Sequence, residues 1–382
     1  MKAMILSVSA GGGHEHAAEA IRRHIMLKNQ DSEIIIVDTL KYINPIIDKV
    51  VIGSYLKSLK VTPALYGKLY NHSETDEGTG IATAISSIFN EAMTFKLLPL
   101  IEKEEPDILI CTHPFPTEMV SIMKGKNKLD IPCISIITDY YPHILWLHPN
   151  IDGYIVSNED MIEDMVSKGI DRQTIYNLGI PVAPEFLVNY DRSETFSMLN
   201  LDENKPTILV MGGSLGMGKI KAIYMELTKV SEDIQIIVIT GNNKKLYSEL
   251  QEIKETSPKE TRIIGFTNKV KMFMQCCDLL LTKPGGLTIT ESLICGIPLV
   301  LFSPIPGQEE KNAEFLLKHN LAVSISDIDN CTDIIQGLLN DKQRLSLMKS
   351  NCRYYSKPDS GDDICDLITS IIKSSSDSKI KI

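Results

Sequence analysis

The stretch from 279 to 312, LLLTKPGGLTITESLICGIPLVLFSPIPGQEEKN, constrains this chain more than any other. Apolar Leu279 to Leu281 reads as a strand buried in a parallel sheet, and Lys283-Pro284-Gly285-Gly286 breaks it sharply. A helix then begins near Leu287 and stops at Gly296, whose missing Cβ suits a helix C-terminus. Ile297 to Phe302 is the next buried strand; Pro304, Pro306 and Gly307 turn the chain into a second helix starting around Gln308. Two helix N-termini therefore open at the carboxyl ends of neighbouring strands, where an open α/β sheet binds its ligand. Free N–H groups and the helix dipole favour an anion there by about 0.3–1 kcal/mol. Glu291 stands one turn into the first helix, and Gln308 and Glu309 begin the second. Taken singly, Gly-Gly before a helix is an ordinary turn and Glu291 an ordinary solvated residue. Together they suit a ligand with a phosphate and several hydroxyls, because backbone N–H groups hold phosphate while carboxylates and amides accept from hydroxyls. A nucleotide sugar is such a ligand.

A chain of 382 residues is long for one hydrophobic core and suits two domains. No apolar run approaches the roughly 18–20 residues needed to cross a bilayer. The opening MKAMILSVSAGGGH has too short an apolar stretch for a signal peptide and reads as a first strand. Eight cysteines are scattered without metal-ligand spacing, as expected for buried thiols of a reducing cytoplasm. A net charge of −10 argues against nucleic acid as a partner, so contact with an anionic membrane must come from a local basic patch.

Met4 to Val8 feeds Gly11-Gly12-Gly13-His14, and Ala18, Ile21 and Ile25 then recur at helical spacing. Three glycines let a backbone pass close to a ligand, and His14 stands at the mouth of the helix. Ile34 to Val37 is a second strand, without the G-x-G-x-x-G string of dinucleotide-binding folds. Between Lys41 and Tyr70 there are five lysines against Asp48 alone, with four tyrosines interleaved. An apolar stripe through Ile47, Tyr55 and Leu59 opposes lysines there; Lys49, Lys57 and Lys60 are the candidate membrane contacts. A helix is expected over 85–98. Strands 108–111 and 131–137 end in Thr112-His113 and Thr138-Asp139, which puts His113 and Asp139 on the same rim as His14. His148 follows in WLHP, and a strand over 153–157 leads to a helix ending near Lys168. Gly179 to Pro184 is the candidate linker. The second half opens with strand 207–211 into Gly212-Gly213-Ser214, continues with strands 236–239 and 262–264, and turns helical from 327 to 372 with a break near Pro358. A short polar tail is expected from Ser374.

The strings TKPGGLTITE, GIPLVLFSPIPGQEEKN and SAGGGHEHAA resemble the family of bacterial processive diacylglycerol glucosyltransferases and plant monogalactosyldiacylglycerol synthases. A more distant relative is the N-acetylglucosaminyltransferase that makes lipid II. The resemblance runs from Met1 to about residue 370 and extends to TDY…WLHP. It implies an α/β architecture called GT-B: two Rossmann-like domains facing across a cleft. The first, 1–180, would meet acceptor and membrane; the second, 181–382, would bind the nucleotide sugar, its last helix able to cross back. It further implies that Gly212, Gly213, Ser214, Gly285 and Gly286 hold the diphosphate. Phe266 would lie near the uracil, Glu291 on the ribose, and Gln308 and Glu309 on the sugar hydroxyls. Gly11, Gly12 and Gly13 would form the acceptor-side loop.

The reaction expected is an inverting transfer of a hexose from UDP-glucose or UDP-galactose to a hydroxyl of diacylglycerol. No cofactor and no obligatory metal are expected, and no Asp-x-Asp string lies near either glycine turn. His14 is the first candidate for the base and Asp139 the second, or the partner that orients His14. The protein is expected on the inner face of the cell membrane as a peripheral cytoplasmic enzyme. Three alternatives share the donor site: a UDP-sugar 2-epimerase, a transferase to a polyprenyl-linked precursor, and a non-catalytic UDP-sugar sensor.

Overall fold

A computed structural model describes residues 1–9, 12–43, 93–94, 96–213, 216 and 218–380. It holds two compact units. The first comprises Met1–Pro184, Pro306–Gln308 and Lys357–Ile382; the second comprises Glu185–Ile305 and Glu309–Ser356.

The first unit is built on a six-stranded sheet of order β2-β1-β3-β4-β5-β6. Its strands are β1 (Lys2–Ser7), β2 (Glu33–Asp38), β3 (Ile108–Cys111), β4 (Cys133–Ile136), β5 (Gly153–Ile155) and β6 (Ile175–Tyr176). All pairings are parallel. Such strands are covered on both faces, which is why β1, β3 and β4 read as unbroken apolar runs rather than alternating ones. One face packs Met4, Leu6, Leu109 and Cys111 against Met119, Val120 and Met123 of the helix Pro114–Gly125. The other packs Ala3, Ile5, Ile108 and Ile110 against Ala18, Ile21 and Ile25 of the helix Gly13–Lys28.

The final helix, Ser360–Ile380, joins that second face through Ile364, Cys365 and Ile368. It is clamped there by Lys28, which bonds the Asp362 carbonyl at 3.2 Å and Asp366 at 2.6 Å. Buried His24 bonds Asp362 and the Val182 carbonyl from its two ring nitrogens. The helix continues through Ser374 to Ile380. The polar tail expected there is helical, carried on by the turn before it despite its poor apolar pattern.

The second unit repeats the logic in the order β12-β11-β10-β7-β8-β9. Its strands are β7 (Thr207–Met211), β8 (Gln235–Ile239), β9 (Glu260–Ile264), β10 (Leu279–Thr282), β11 (Leu299–Phe302) and β12 (Ala322–Ile325). These too are all parallel. The helix after β10 runs Gly286–Cys295 and ends at Gly296 with φ 66°, the left-handed conformation that glycine adopts without strain. Pro298 delays β11 to Leu299, two residues later than the apolar run begins. The helices Cys331–Asn340 and Lys342–Tyr355 fill the segment expected to be helical. The helix expected over 85–98 and the basic region with Lys49, Lys57 and Lys60 lie almost wholly outside the described residues. Among the described residues no helix is long and apolar enough to cross a membrane.

Candidate active site

In a doubly wound sheet the ligand crevice opens where strand order reverses, because the loops there diverge to opposite faces. In the first unit that point lies between β1 and β3; in the second it lies between β7 and β10. The sequence places the Gly12–His14 loop and Thr112-His113 at the first point. It places Gly212-Gly213 and Lys283–Gly286 at the second.

Gly12 caps the first helix with φ 88°, a conformation open to glycine, and Gly13 is the first helical residue. His14 follows immediately. Its Nδ1 lies 2.8 Å from the Thr112 carbonyl oxygen and 2.9 Å from Thr138 Oγ1. A carbonyl can only accept, so Nδ1 carries the proton and Nε2 keeps its lone pair. Desolvation pulls the imidazole down to about 4, opposed by the bond to Thr112 and the charge of Glu15. At neutral pH His14 is therefore an unprotonated base with a fixed tautomer. The His113 ring stands edge-on to it at 4.6 Å, and the Trp146 ring lies 6.1 Å away. His113 itself accepts from the Phe115 N–H and caps a helix. Burial and the neighbouring His14 hold it well below the usual histidine range.

The Nδ1 partners of His14 are thus two threonines at strand ends. The carboxylate of Asp139 receives the Gln308 amide instead, at 2.8 and 2.7 Å within the same unit. His148 is tied to its own loop, with Nε2 bonded to the Leu145 carbonyl at 2.9 Å. Gly11 lies outside the described residues.

In the second unit the helix Gly286–Cys295 starts at Gly285 with no side-chain cap, so its first N–H groups remain available. Gly212 follows β7 directly, and Gly213 has φ 72°; Ser214 lies outside the described residues. Glu291 is half-buried on the same helix, and desolvation pushes its carboxyl up to about 8. Phe266, two residues beyond β9, is 69% exposed and offers a free aromatic face.

Lys283 is the residue that sequence reasoning passed over. It is buried, and its Nζ lies 3.0 and 3.2 Å from the two oxygens of Glu309. Glu309 also accepts from the Ile305 N–H at 2.7 Å, and Asn312 Nδ2 donates to the Pro284 carbonyl at 3.0 Å. Most of the acceptor capacity of Glu309 is therefore used by its own chain.

The two sheets and their loops have the GT-B fold. Acinetobacter baumannii MurG superposes with a TM-score of 0.62 at 16% identity, covering 97% of this chain and 99% of that one. The UDP-GlcNAc 2-epimerase of Neisseria meningitidis, bound to UDP-GlcNAc, gives 0.61 at 13% identity, covering 97% and 100%. Residues 14–182 match the monogalactosyldiacylglycerol (MGDG) synthase family, and residues 207–359 match the glycosyltransferase family 28 C-terminal domain. A processive diacylglycerol beta-glucosyltransferase of Bacillus pumilus is 29% identical over 360 residues, 92% of this chain and 90% of the relative. Its two halves match these two family models in turn, and over most of its length the chain is similar to the diacylglycerol glucosyltransferases.

Proposed function

We propose that the protein moves a hexose from UDP-glucose or UDP-galactose to a hydroxyl of diacylglycerol, inverting the anomeric carbon. The observation that carries this reading is His14, whose Nδ1 is held by Thr112 and Thr138 and whose Nε2 keeps a free lone pair at neutral pH. An alcohol is a poor nucleophile until its proton is taken as the new bond forms. Nε2 accepts the acceptor's proton, the freed oxygen attacks C1, and the C1–O bond to UDP breaks, its electron pair leaving with the diphosphate. The turns at Gly212-Gly213 and Gly285-Gly286 hold that diphosphate against uncapped helix N–H groups. No cofactor is needed, and no metal is obligatory.

In this reading Phe266 stacks on the uracil and Glu291 binds the ribose. Gln308 meets the sugar hydroxyls, while Glu309 chiefly shapes the turn. The enzyme works at the inner membrane surface, and Lys49, Lys57 and Lys60 bring it there. The likeness to an epimerase favours one second reading, isomerisation of the donor without any acceptor. Purified protein given diacylglycerol and each UDP-sugar tests both, with mass spectrometry of the lipid and nucleotide fractions. Lipid-dependent release of UDP with a glycosylated product supports transfer; an epimerised UDP-sugar formed without lipid supports the rival. Donor binding without turnover would leave only a sensor.

A further inference from the structure

Thr138 and Asp139 are consecutive, lie just beyond the carboxyl end of β4, and are both buried. Each holds the side chain of a distant residue of the same unit. Thr138 Oγ1 lies 2.9 Å from His14 Nδ1, and both carboxylate oxygens of Asp139 take Gln308 Nε2. The backbone here is fixed by the segment after β5. Ser157 Oγ donates to the Asp139 carbonyl at 2.9 Å, and Asn158 Nδ2 donates to the Tyr140 carbonyl at 3.3 Å. A glutamine amide has one donating end and one accepting end of nearly the same size, so its partners decide which way it turns. An ionised carboxylate only accepts. Asp139 therefore takes the NH2 end, at 2.8 and 2.7 Å, and repels the carbonyl end. Gln308 Oε1 is thereby turned away from Asp139. Among the described residues no donor is hydrogen-bonded to it, so its lone pairs are available to a ligand.

We propose that Asp139 is a positioning residue that fixes the polarity of the Gln308 amide, so that an acceptor oxygen meets the hexose and selects a hydroxyl that donates. This rests on the placement of Gln308 at the sugar hydroxyls proposed above, and it goes beyond that placement. A freely turning amide would serve donating and accepting groups alike. An amide locked by Asp139 rejects a sugar group that can only accept, because two acceptors then face one another without a proton between them. One dipeptide at the end of β4 thus sets two parts of the site: Thr138 acts through His14, and Asp139 acts through Gln308.

Gln308→Glu supplies the test, because it keeps an acceptor oxygen for the sugar but sets a second carboxylate against Asp139. Dissociation constants for UDP-glucose, UDP-galactose and UDP are measured by calorimetry without lipid; UDP lacks the hexose and controls for fold and nucleotide contacts. The ratio of Kd for the better-binding UDP-hexose to Kd for UDP should rise about tenfold in Gln308→Glu. Asp139→Asn with Gln308→Glu reverses the pair, an amide now donating to a carboxylate, and should bring the ratio back towards the parental value. Analogues of that UDP-hexose with fluorine in place of one hydroxyl, at C2, C3, C4 or C6, test the polarity directly, since fluorine cannot donate. Fluorine at one of these positions should weaken binding to the parent about tenfold and have no such effect in Gln308→Ala. A parental ratio in Gln308→Glu would overturn the proposal. So would a double variant that binds UDP normally but stays as poor on the UDP-hexose as Gln308→Glu alone, or a parent indifferent to fluorine at all four positions. The predicted binding pattern without any glycolipid synthesis would reject the proposed reaction and leave the role of Asp139 standing.

Discussion

Lys283 reaches across 26 residues of sequence to grip Glu309, with Nζ 3.0 Å from Oε1 and 3.2 Å from Oε2. The pair ties the turn before one helix to the turn before the next. The Ile305 N–H on Glu309 and the Asn312 amide on the Pro284 carbonyl complete the tie. Both side chains are largely out of solvent, at 9% and 12% exposure. Removing one partner should therefore strand the other charge, at a cost of about 3–5 kcal/mol. Lys283→Met is expected to lower the urea midpoint accordingly and to weaken UDP binding by loosening both turns. Lys283→Met with Glu309→Leu should recover much of the stability. Urea melts and calorimetry with UDP check both outcomes; a single variant as stable as the parent would show that the pair holds nothing.

Glu291 makes stability depend on pH in a defined direction. Its carboxyl is raised to about 8 from the ordinary 4.5, so the folded protein holds a proton that the unfolded chain has released. The contribution is fully present below about pH 4.5 and is lost as pH rises through 8, by up to about 1.4 kcal/mol per pH unit. Glu291→Gln should flatten that slope in melts from pH 5 to 9. If ribose hydroxyls donate to this group, the ionised form binds better. UDP affinity should then rise with pH up to about 8, and binding at neutral pH should release a proton, visible as a buffer-dependent enthalpy. Equal slopes in parent and variant would remove Glu291 from this role.

Much of this was written in local sequence, and what was not depended on distant partners. Strands buried on both faces announce themselves as apolar runs, so β1, β3, β7 and β10 were legible, as were the glycine turns that end them. The edge strands β6 and β12 were not, since the first has two residues and the second exposes Ser324. A lysine after a strand reads as solvated, and only Glu309 explains why Lys283 is buried. The orientation of His14 is set by Thr112 and Thr138, 98 and 124 positions away. The one local hint was that each of these threonines stands at a strand's carboxyl end. The reversal of strand order that makes both glycine turns converge on crevices is a property of topology, which no single stretch carries.

The proposed diphosphate site relies on backbone N–H groups at a helix N-terminus that has no side-chain cap. Transfer should accordingly persist in excess EDTA. Initial rates with and without chelator, and with magnesium or manganese added back, check this. Complete loss in EDTA restored by either cation would overturn the metal-independent reading.

The last prediction concerns the base. His14 donates from Nδ1 to Thr112 and Thr138, and desolvation lowers its proton affinity to about 4. A depressed histidine disfavours the fold in acid: stability present above about pH 6.5 is lost as pH falls through 4, and His14→Ala should lack that loss. The same shift keeps Nε2 free across the neutral range. At saturating donor, kcat of the parent should therefore be flat from about pH 5 to 8 and fall only below that. If Nε2 takes the acceptor proton, His14→Ala should lower kcat by about 10²-fold or more with UDP affinity nearly unchanged. A histidine that merely supports the glycine loop would lower the melting temperature and spare the rate. Thr138→Val separates orientation from chemistry, since it removes one Nδ1 contact without touching Nε2. It should reduce kcat less than His14→Ala does and leave KM for the donor alone. Near-parental turnover in His14→Ala would move the search for the base to Asp139.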